Sequence, residues 1–362
     1  VVHSEAPGTG LSDGCPTVGG PPEALAPKAV IDWLNGRARG FTSRTGTEEV
    51  TAHWSTGRVG MTGTSYNGTI PVAAATTGVE GLEAIIPVSP NNSYYLYYRS
   101  NGLVRHPGGW LGEDIDVLYD FINSGDPQTR AYCDTAIRDG ELAAGHDRET
   151  GDYNDFWAGR DLMNELDGIQ AATLMSHAFN DWNVMPEHSV KVYEYLNAAG
   201  VPSQANFHQG GHGGPPPLEL MNRWFTRYLY EVENGVEDDP KAWIVRENAD
   251  RSDPTPYPDY PNPASAPVTL RPLAGGVQVG GLALGEPQGQ GAETLVDNFS
   301  FSGATLARAE WTNHRLLYAT PELRRDVHIS GTPTVTIRLA SSAPSANLSV
   351  WLVSVPWPEG RT

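Results

Sequence analysis

Val59-Gly60-Met61-Thr62-Gly63-Thr64-Ser65-Tyr66-Asn67-Gly68 carries a strand, a sharp turn and the start of a helix in quick succession. Val59 to Thr62 reads as a short strand, and Tyr66 to Thr76 as the helix that follows. A serine hydroxyl is a poor nucleophile unless a base takes its proton and its oxygen stands clear of the packed core. A tight strand-to-helix turn meets the second need. It also strains the backbone at the serine and crowds its neighbours, so small residues are wanted two positions to either side. Gly63 stands two before Ser65. Two after stands Asn67, with Gly68 one later, so the pattern is G-x-S-x-x-G and departs from G-x-S-x-G. The helix N-terminus just past Ser65 would aim backbone N–H groups at a developing oxyanion. The same residues also suit a glycine-rich turn with an ordinary N-capping serine. The decision therefore rests on what lies further along the chain.

Outward from this turn, short apolar runs alternate with helical stretches, the pattern of a parallel sheet covered by helices. Leu82 to Val88 and Ala171 to His177 read as strands, and about Pro186 to Asn197 as an amphipathic helix. Gln204 to His208 is strand-like. Pro217 to Glu233 then places Leu218, Met221, Trp224, Phe225 and Tyr228 at helical spacing. Between about Asn91 and Met163 the helical stretches lack matching strands, so this segment is expected to fold over the sheet as a cap. The chain therefore divides into a core over 1–90, a helical cap insertion over 91–163 and a second core part over 164–238. A proline-rich linker follows over 239–267. From Val268 onward, runs such as Thr334 to Leu339 and Leu348 to Val353 alternate in polarity between turn signals, so 268–362 is expected to be an all-β sandwich.

Two further segments answer to Ser65. Asp181 follows the strand ending near His177, in a loop at the strand's C-terminal end, where open α/β sheets place their sites. An aspartate there also suits a cap for the helix near Pro186. His212 sits in His208-Gln209-Gly210-Gly211-His212-Gly213-Gly214, between a strand and the last large helix. Glycines on both sides of it would let the loop carry an imidazole over the sheet edge. His208 is the competitor, but it falls at the strand's end and is expected to pack there. Nucleophile, acid and histidine in this chain order are the arrangement of an α/β-hydrolase.

The 362 residues are 39% hydrophobic and 19% charged, which fits a globular chain and not a disordered one. No apolar run reaches the ~18 to 20 residues of a membrane helix, so no membrane partner is expected. The net charge of −19 argues against nucleic acid as a partner. Neither a metal site nor a cofactor is expected. Cys15 and Cys133 either pair, in an exported protein, or remain two free thiols. Secretion is the expected location, with the cytoplasm as the alternative. Val1 is not an initiator methionine, no signal peptide is visible, and Pro358 to Thr362 follow directly on a strand-like run. A chain cut at both ends is the expectation.

At this point the residues resemble a known family, the Xaa-Pro dipeptidyl-peptidases of the α/β-hydrolase superfamily, with cocaine esterase and the α-amino acid ester hydrolases as relatives. The resemblance rests on Gly63 to Gly68, on Asn180-Asp181-Trp182-Asn183-Val184, on Gly8 to Gly14 and on Tyr94-Tyr95-Leu96-Tyr97-Tyr98-Arg99. It covers most of the chain and implies a jelly roll for the β domain. It implies Ser65, Asp181 and His212 as the triad, with the Tyr66 N–H as half of the oxyanion hole. The other half would be a tyrosine hydroxyl from a loop upstream of Val1. Tyr94 and Tyr97, with Tyr66 and Trp182 nearby and Asn183 and Val184 beside them, match positions that bind substrate and hold the proline ring. Glu113 matches the carboxylate that grips the substrate's free ammonium group, with Asp114 as the fallback. Those acids also suit the solvated first turn of a helix.

The implied activity is release of N-terminal Xaa-Pro dipeptides through an acyl-enzyme on Ser65, from peptides with a free N-terminus. A homodimer is among the expected assemblies. The rivals are an α-amino acid ester hydrolase or β-lactam acylase on the same triad, and a non-catalytic binding protein that uses the β domain.

Overall fold

The computed structural model describes residues 1–100, 102–107, 112–123, 127–287, 290–344 and 346–356. They divide into two compact units, Val1–Pro258 and Asp259–Thr362.

The first unit is built on a six-stranded sheet. Its strands are β1 (Val59–Thr64), β2 (Leu82–Val88), β3 (Ala172–Ala178), β4 (Ser203–His208), β5 (Ala242–Ile244) and β6 (Thr255–Tyr257). They lie side by side in chain order, parallel from β1 to β5, with β6 antiparallel to β5. Every residue of β3 and β4 is buried. That burial on both faces requires helices on both, and it explains why these strands read as continuous runs and not as alternation.

Helices α1 (Pro21–Leu34) and α2 (Tyr66–Thr76) pack on each other, and α2 packs on β1 and β2. Helix α1 opens on Pro21 and Pro22, whose missing N–H groups are no loss in a first turn. Between β2 and β3 the described residues form short helices and no strand of the main sheet. These include α3 (Tyr94–Tyr98), α4 (Ile115–Ile122) and α5 (Pro127–Cys133), followed by a π-helical stretch over Asp134–Leu142. Cys15 and Cys133 form a disulfide with Cα atoms 5.4 Å apart, tying the N-terminal segment to the end of α5. After β3 come α6 (Glu187–Ala199), which ends at the left-handed Gly200, and α7 (Leu218–Tyr230).

Helix α7 packs Leu220 and Trp224 against Ala84, Ile86, Ala172 and Leu174 of β2 and β3. Phe225 lies over Gly60, where a Cβ would stand 2.7 Å from the ring. Leu218, expected on this apolar face, is 81% exposed because the helix begins there and Leu220 takes the inward position.

Two boundaries differ from expectation. The proline-rich stretch over 239–267 is not simply a linker. Residues 242–257 supply β5 and β6, because Ala242 and Ile244 are buried next to the sheet's edge and Pro256 tolerates an edge strand. The division between units falls after Pro258 instead.

The second unit holds a three-stranded mixed sheet of β7 (Arg271–Pro272), β8 (Gly280–Ala283) and β9 (Tyr318–Ala319), with helix α8 (Gly303–Arg308). Arg315, 9% exposed, donates to the carbonyls of Gly276, Gln278, Leu306 and Ala309 and so binds its loops together. The runs Thr334–Leu339 and Leu348–Val353 were expected as sandwich strands. Among the described residues they carry no strand pairing, and Val335, Ile337, Leu339, Val350 and Leu352 are all more than half exposed. Alternation supplies an apolar face, but a strand forms only against a hydrogen-bonding neighbour, and these runs have none there. Residues 357–362 lie outside the described set.

Candidate active site

The loops that leave the C-terminal ends of β1, β3 and β4 carry Ser65, Asp181 and His212. Ser65 holds φ +62° and ψ −127°, a conformation that a residue with a Cβ adopts only under constraint. The constraint is visible. Its N–H donates to Val88 O at 2.9 Å, and its carbonyl accepts from Gly68 N at 2.8 Å and Thr69 N at 3.0 Å.

The two glycines follow from the same crowding. A Cβ at Gly63 would stand 2.1 Å from Asn67 O, and one at Gly68 would stand 2.5 Å from Val88 O. Pro71 has no N–H for the Asn67 carbonyl four residues earlier, which leaves that oxygen against Gly63. The close approach to β2 therefore falls at position 68, and Asn67 is tolerated where a glycine is usual. At the first position of α2, the Tyr66 N–H has no carbonyl a turn before it to donate to.

Asp181 is 2% exposed. Its Oδ1 accepts from the N–H groups of Asn183 (3.0 Å) and Val184 (2.9 Å), and its Oδ2 lies 2.7 Å from His212 Nδ1. The alternative role, as a cap for the helix near Pro186, is not what this carboxylate does. His177, not singled out in the sequence, adds a second imidazole 3.3 Å from Oδ2. It is held by Ser189 Oγ at 2.6 Å and Val184 O at 2.8 Å. Burial acts to raise the Asp181 pKa, but hydrogen bonds from His177 and His212 outweigh it and hold the carboxyl well below the usual carboxylate range.

The His212 side chain is 27% exposed and its loop is strutted from below. Gly213 N donates to Ser89 Oγ, Ser176 Oγ donates to Gly214 O, and Asn180 Nδ2 donates to Gln209 O. Gly213 and Gly214 sit at φ +94° and +99°, where side chains are unwelcome. A Cβ at Gly213 would stand 3.4 Å from Thr64 Cγ2, so the loop passes directly beside the residue preceding Ser65. His208 is 1% exposed and its two ring nitrogens face Gly210 N and Gly214 O. Burial pushes its pKa down to about 4. It is a strut, and of the two histidines in this stretch His212 is the one that meets Asp181.

Tyr94, Tyr97 and Tyr98 are buried in one cluster with Val18, Ile115, Trp157 and Val184, and Tyr66 packs against it. Tyr97 Oη donates to Asn183 Oδ1, which ties the cluster to the Asp181 loop. Trp182, by contrast, is 37% exposed and stands outside the cluster.

The neighbouring acids Glu113 and Asp114 part company. Glu113 is half-buried and accepts from Tyr98 Oη at 3.0 Å. Burial raises its pKa, against that hydrogen bond. Asp114 is 1% exposed. It caps α4 through Ile115 N and pairs with both Arg99 and Arg148. With its oxygens taken up by two guanidiniums it has no capacity for a ligand's ammonium, which removes it as the fallback anchor. Among the described residues, no group of His, Cys, Asp and Glu is arranged to hold a metal.

The chain is also similar to known proteins. Residues 1–214 match the family described as X-Pro dipeptidyl-peptidase (S15 family), and residues 234–361 match the X-Pro dipeptidyl-peptidase C-terminal non-catalytic domain. A putative Xaa-Pro dipeptidyl-peptidase of Rhodopirellula baltica is 66% identical over 358 residues, 99% of this chain and 57% of that protein. One from Bacillus cereus is 41% identical over 364 residues, 98% of this chain and 60% of that protein. The Xaa-Pro dipeptidyl-peptidase of Lacticaseibacillus paracasei is 35% identical over 368 residues, 98% of this chain and 46% of that protein. The chain thus spans roughly half of the curated relatives it matches.

Among solved structures, a CocE/NonD family hydrolase from Staphylococcus aureus superposes with a TM-score of 0.52 at 18% identity, over 77% of this chain and 45% of that one. An aminopeptidase from a marine sediment Thaumarchaeota archaeon gives 0.53 at 16% identity, over 79% and 51%. These likenesses show a shared α/β-hydrolase fold.

Proposed function

The chain belongs to the X-Pro dipeptidyl-peptidase (S15) family, and from that premise we propose that the protein is a serine exopeptidase releasing Xaa-Pro dipeptides from peptides with a free N-terminus. The observation that carries the proposal is the 2.7 Å pair of His212 Nδ1 and Asp181 Oδ2, on a loop that passes beside the strained Ser65 turn.

In this reading the ionised Asp181 fixes the tautomer of His212, leaving Nε2 to take the Ser65 proton. Ser65 Oγ makes no hydrogen bond among the described residues, and catalytic hydrogen bonds commonly tighten only once substrate is bound. Ser65 attacks the carbonyl after the second substrate residue, and the unpaired Tyr66 N–H stabilises the oxyanion. His212 returns the proton to the departing amine, and water then repeats the cycle to release the dipeptide. Glu113 meets the substrate's ammonium group, and the Tyr94–Tyr97 aromatic wall meets the proline ring. The Cys15–Cys133 disulfide supports export to an oxidising compartment. The second unit, in this reading, belongs to a non-catalytic jelly roll.

Turnover of Ala-Pro-p-nitroanilide tests the assignment. Ser65→Ala should lower kcat on the order of 10⁶-fold, whereas retention of near-native turnover in that variant would remove Ser65 from the mechanism.

A further inference from the structure

The turn Thr17-Val18-Gly19 is gripped through both kinds of backbone group. Glu23, in the first turn of α1 and 3% exposed, accepts from Thr17 N at 2.9 Å, from Thr17 Oγ1 at 3.3 Å and from Gly19 N. Arg160, 5% exposed, donates from Nε to Val18 O at 3.2 Å and from Nη2 to Thr17 O at 3.1 Å. A carboxylate thus takes the donors of the turn and a guanidinium takes its acceptors. Between them Val18 is held fully buried at φ +53°, which is rare for a β-branched residue and persists only where the surroundings over-determine it. Burying two charged groups to hold one turn would be costly without a purpose.

What the turn touches supplies one. Gly19 lies flat against the Tyr94 ring, so close that a Cβ would stand 2.1 Å from Cε2. Tyr94 N in turn donates to Arg160 O at 3.1 Å. Arg160 therefore fixes Tyr94 from its main chain and fixes the turn behind the Tyr94 ring from its side chain. Val18 shares the buried cluster with Tyr94, Tyr97 and Val184.

We propose that Glu23 and Arg160 are positioning residues that set the Tyr94 ring for the proline of the substrate, an inference that rests on the aromatic wall assigned above. Neither residue touches substrate; both act through Tyr94. A carboxylate is needed at position 23 because an amide presents a donor to one of the N–H groups it must hold, so Glu23→Gln loosens the turn without changing its volume.

The test is a double-mutant cycle of E23Q and Y94A, read as kcat/KM on Ala-Pro-p-nitroanilide and on p-nitrophenyl acetate, which is too small to need the ring wall. E23Q should lower kcat/KM for the peptide about tenfold when Tyr94 is present. It should cost less than about twofold on the acetate, and less than about twofold in the Y94A background, because residues that act through one another are not additive. An equal loss in both backgrounds, an equal loss on the acetate, or no loss at all overturns the proposal. If E23Q does not accumulate as folded protein, R160K enters the same cycle with the same expectation. A wild-type protein that cleaves the acetate but not the peptide overturns the exopeptidase reading together with this one. Failure of the positioning role alone shows as full wild-type peptidase activity with an additive E23Q.

Discussion

The strand-end loops and the residues Tyr94 to Tyr98 and Glu113 each supply half of the proposed site, and they are held by different means. Ser65, Asp181 and His212 are placed by β1, β3 and β4, so their positions follow from strand ends and from backbone bonds such as Ser65 N to Val88 O. Tyr94, Tyr97 and Glu113 lie on a short helix and a loop between β2 and β3. They are held by side-chain links such as Tyr97 to Asn183, Tyr98 to Glu113 and the Arg99–Asp114 pair. In the proposed reading, chemistry rests on the sheet and recognition on a side-chain network. Damage to the first should strike every substrate alike, and damage to the second should separate substrates.

The largest effect should come from the loops. Beyond the loss in Ser65→Ala, Asp181→Asn should lower kcat by about 10⁴-fold through the wrong His212 tautomer. The loss should be the same for Ala-Pro-p-nitroanilide, for its N-acetylated form and for p-nitrophenyl acetate. A substrate-dependent loss would move Asp181 into recognition and erase the contrast.

Asp114→Asn strikes the cap network. It strips the fully buried Arg99 of its charge partner, and breaking such a pair costs about 3 to 5 kcal/mol. Chemical denaturation should show that loss, while the ratio of rates on free and N-acetylated Ala-Pro-p-nitroanilide stays unchanged. A shift in that ratio would restore Asp114 as an anchor.

Glu113→Gln should do the reverse. Stability should hold, and the preference for a free amino end should fall about ten- to a hundredfold, the worth of one charge-assisted hydrogen bond.

The smallest effect is one of pH. Burial raises the Glu113 pKa, so its carboxyl gains a proton at a pH where an ordinary glutamate is still ionised. An ammonium group is held by the charged form. The preference for the free amino end should therefore fade as the pH is lowered from 7 towards the usual glutamate value of about 4.3, and the Glu113→Gln ratio should stay flat. A wild-type ratio that rises on acidification would contradict the sign.

The same contrast explains what was legible in the sequence. The order of Ser65, Asp181 and His212, and the parallel sheet beneath them, could be read because strand, turn and glycine signals are local. The Gly68 offset was visible as a departure, but its cause, the Val88 carbonyl of β2, is tertiary. His177 was passed over because its role depends on Val184 and Ser189 folding back over it. A histidine four residues before the candidate acid was the available signal. Glu23 and Arg160 stand 137 positions apart and carry no motif. Only the fold brings them to one turn. Glu113 and Asp114 could not be told apart in sequence, because what separates them is the position of Arg99 and Arg148. In the second unit, alternation in 334–339 described a face but could not supply the neighbour a strand requires.

Activation of Ser65 by the imidazole paired with Asp181 is the step on which the proposed mechanism turns. It is tested most directly by reacting the protein with a fluorophosphonate and locating the adduct by peptide mass mapping, in wild type and in His212→Ala. A single adduct on Ser65 that is lost, or slowed by orders of magnitude, in His212→Ala is the expected result. An adduct on another residue, or labelling of Ser65 that is indifferent to His212, would contradict it.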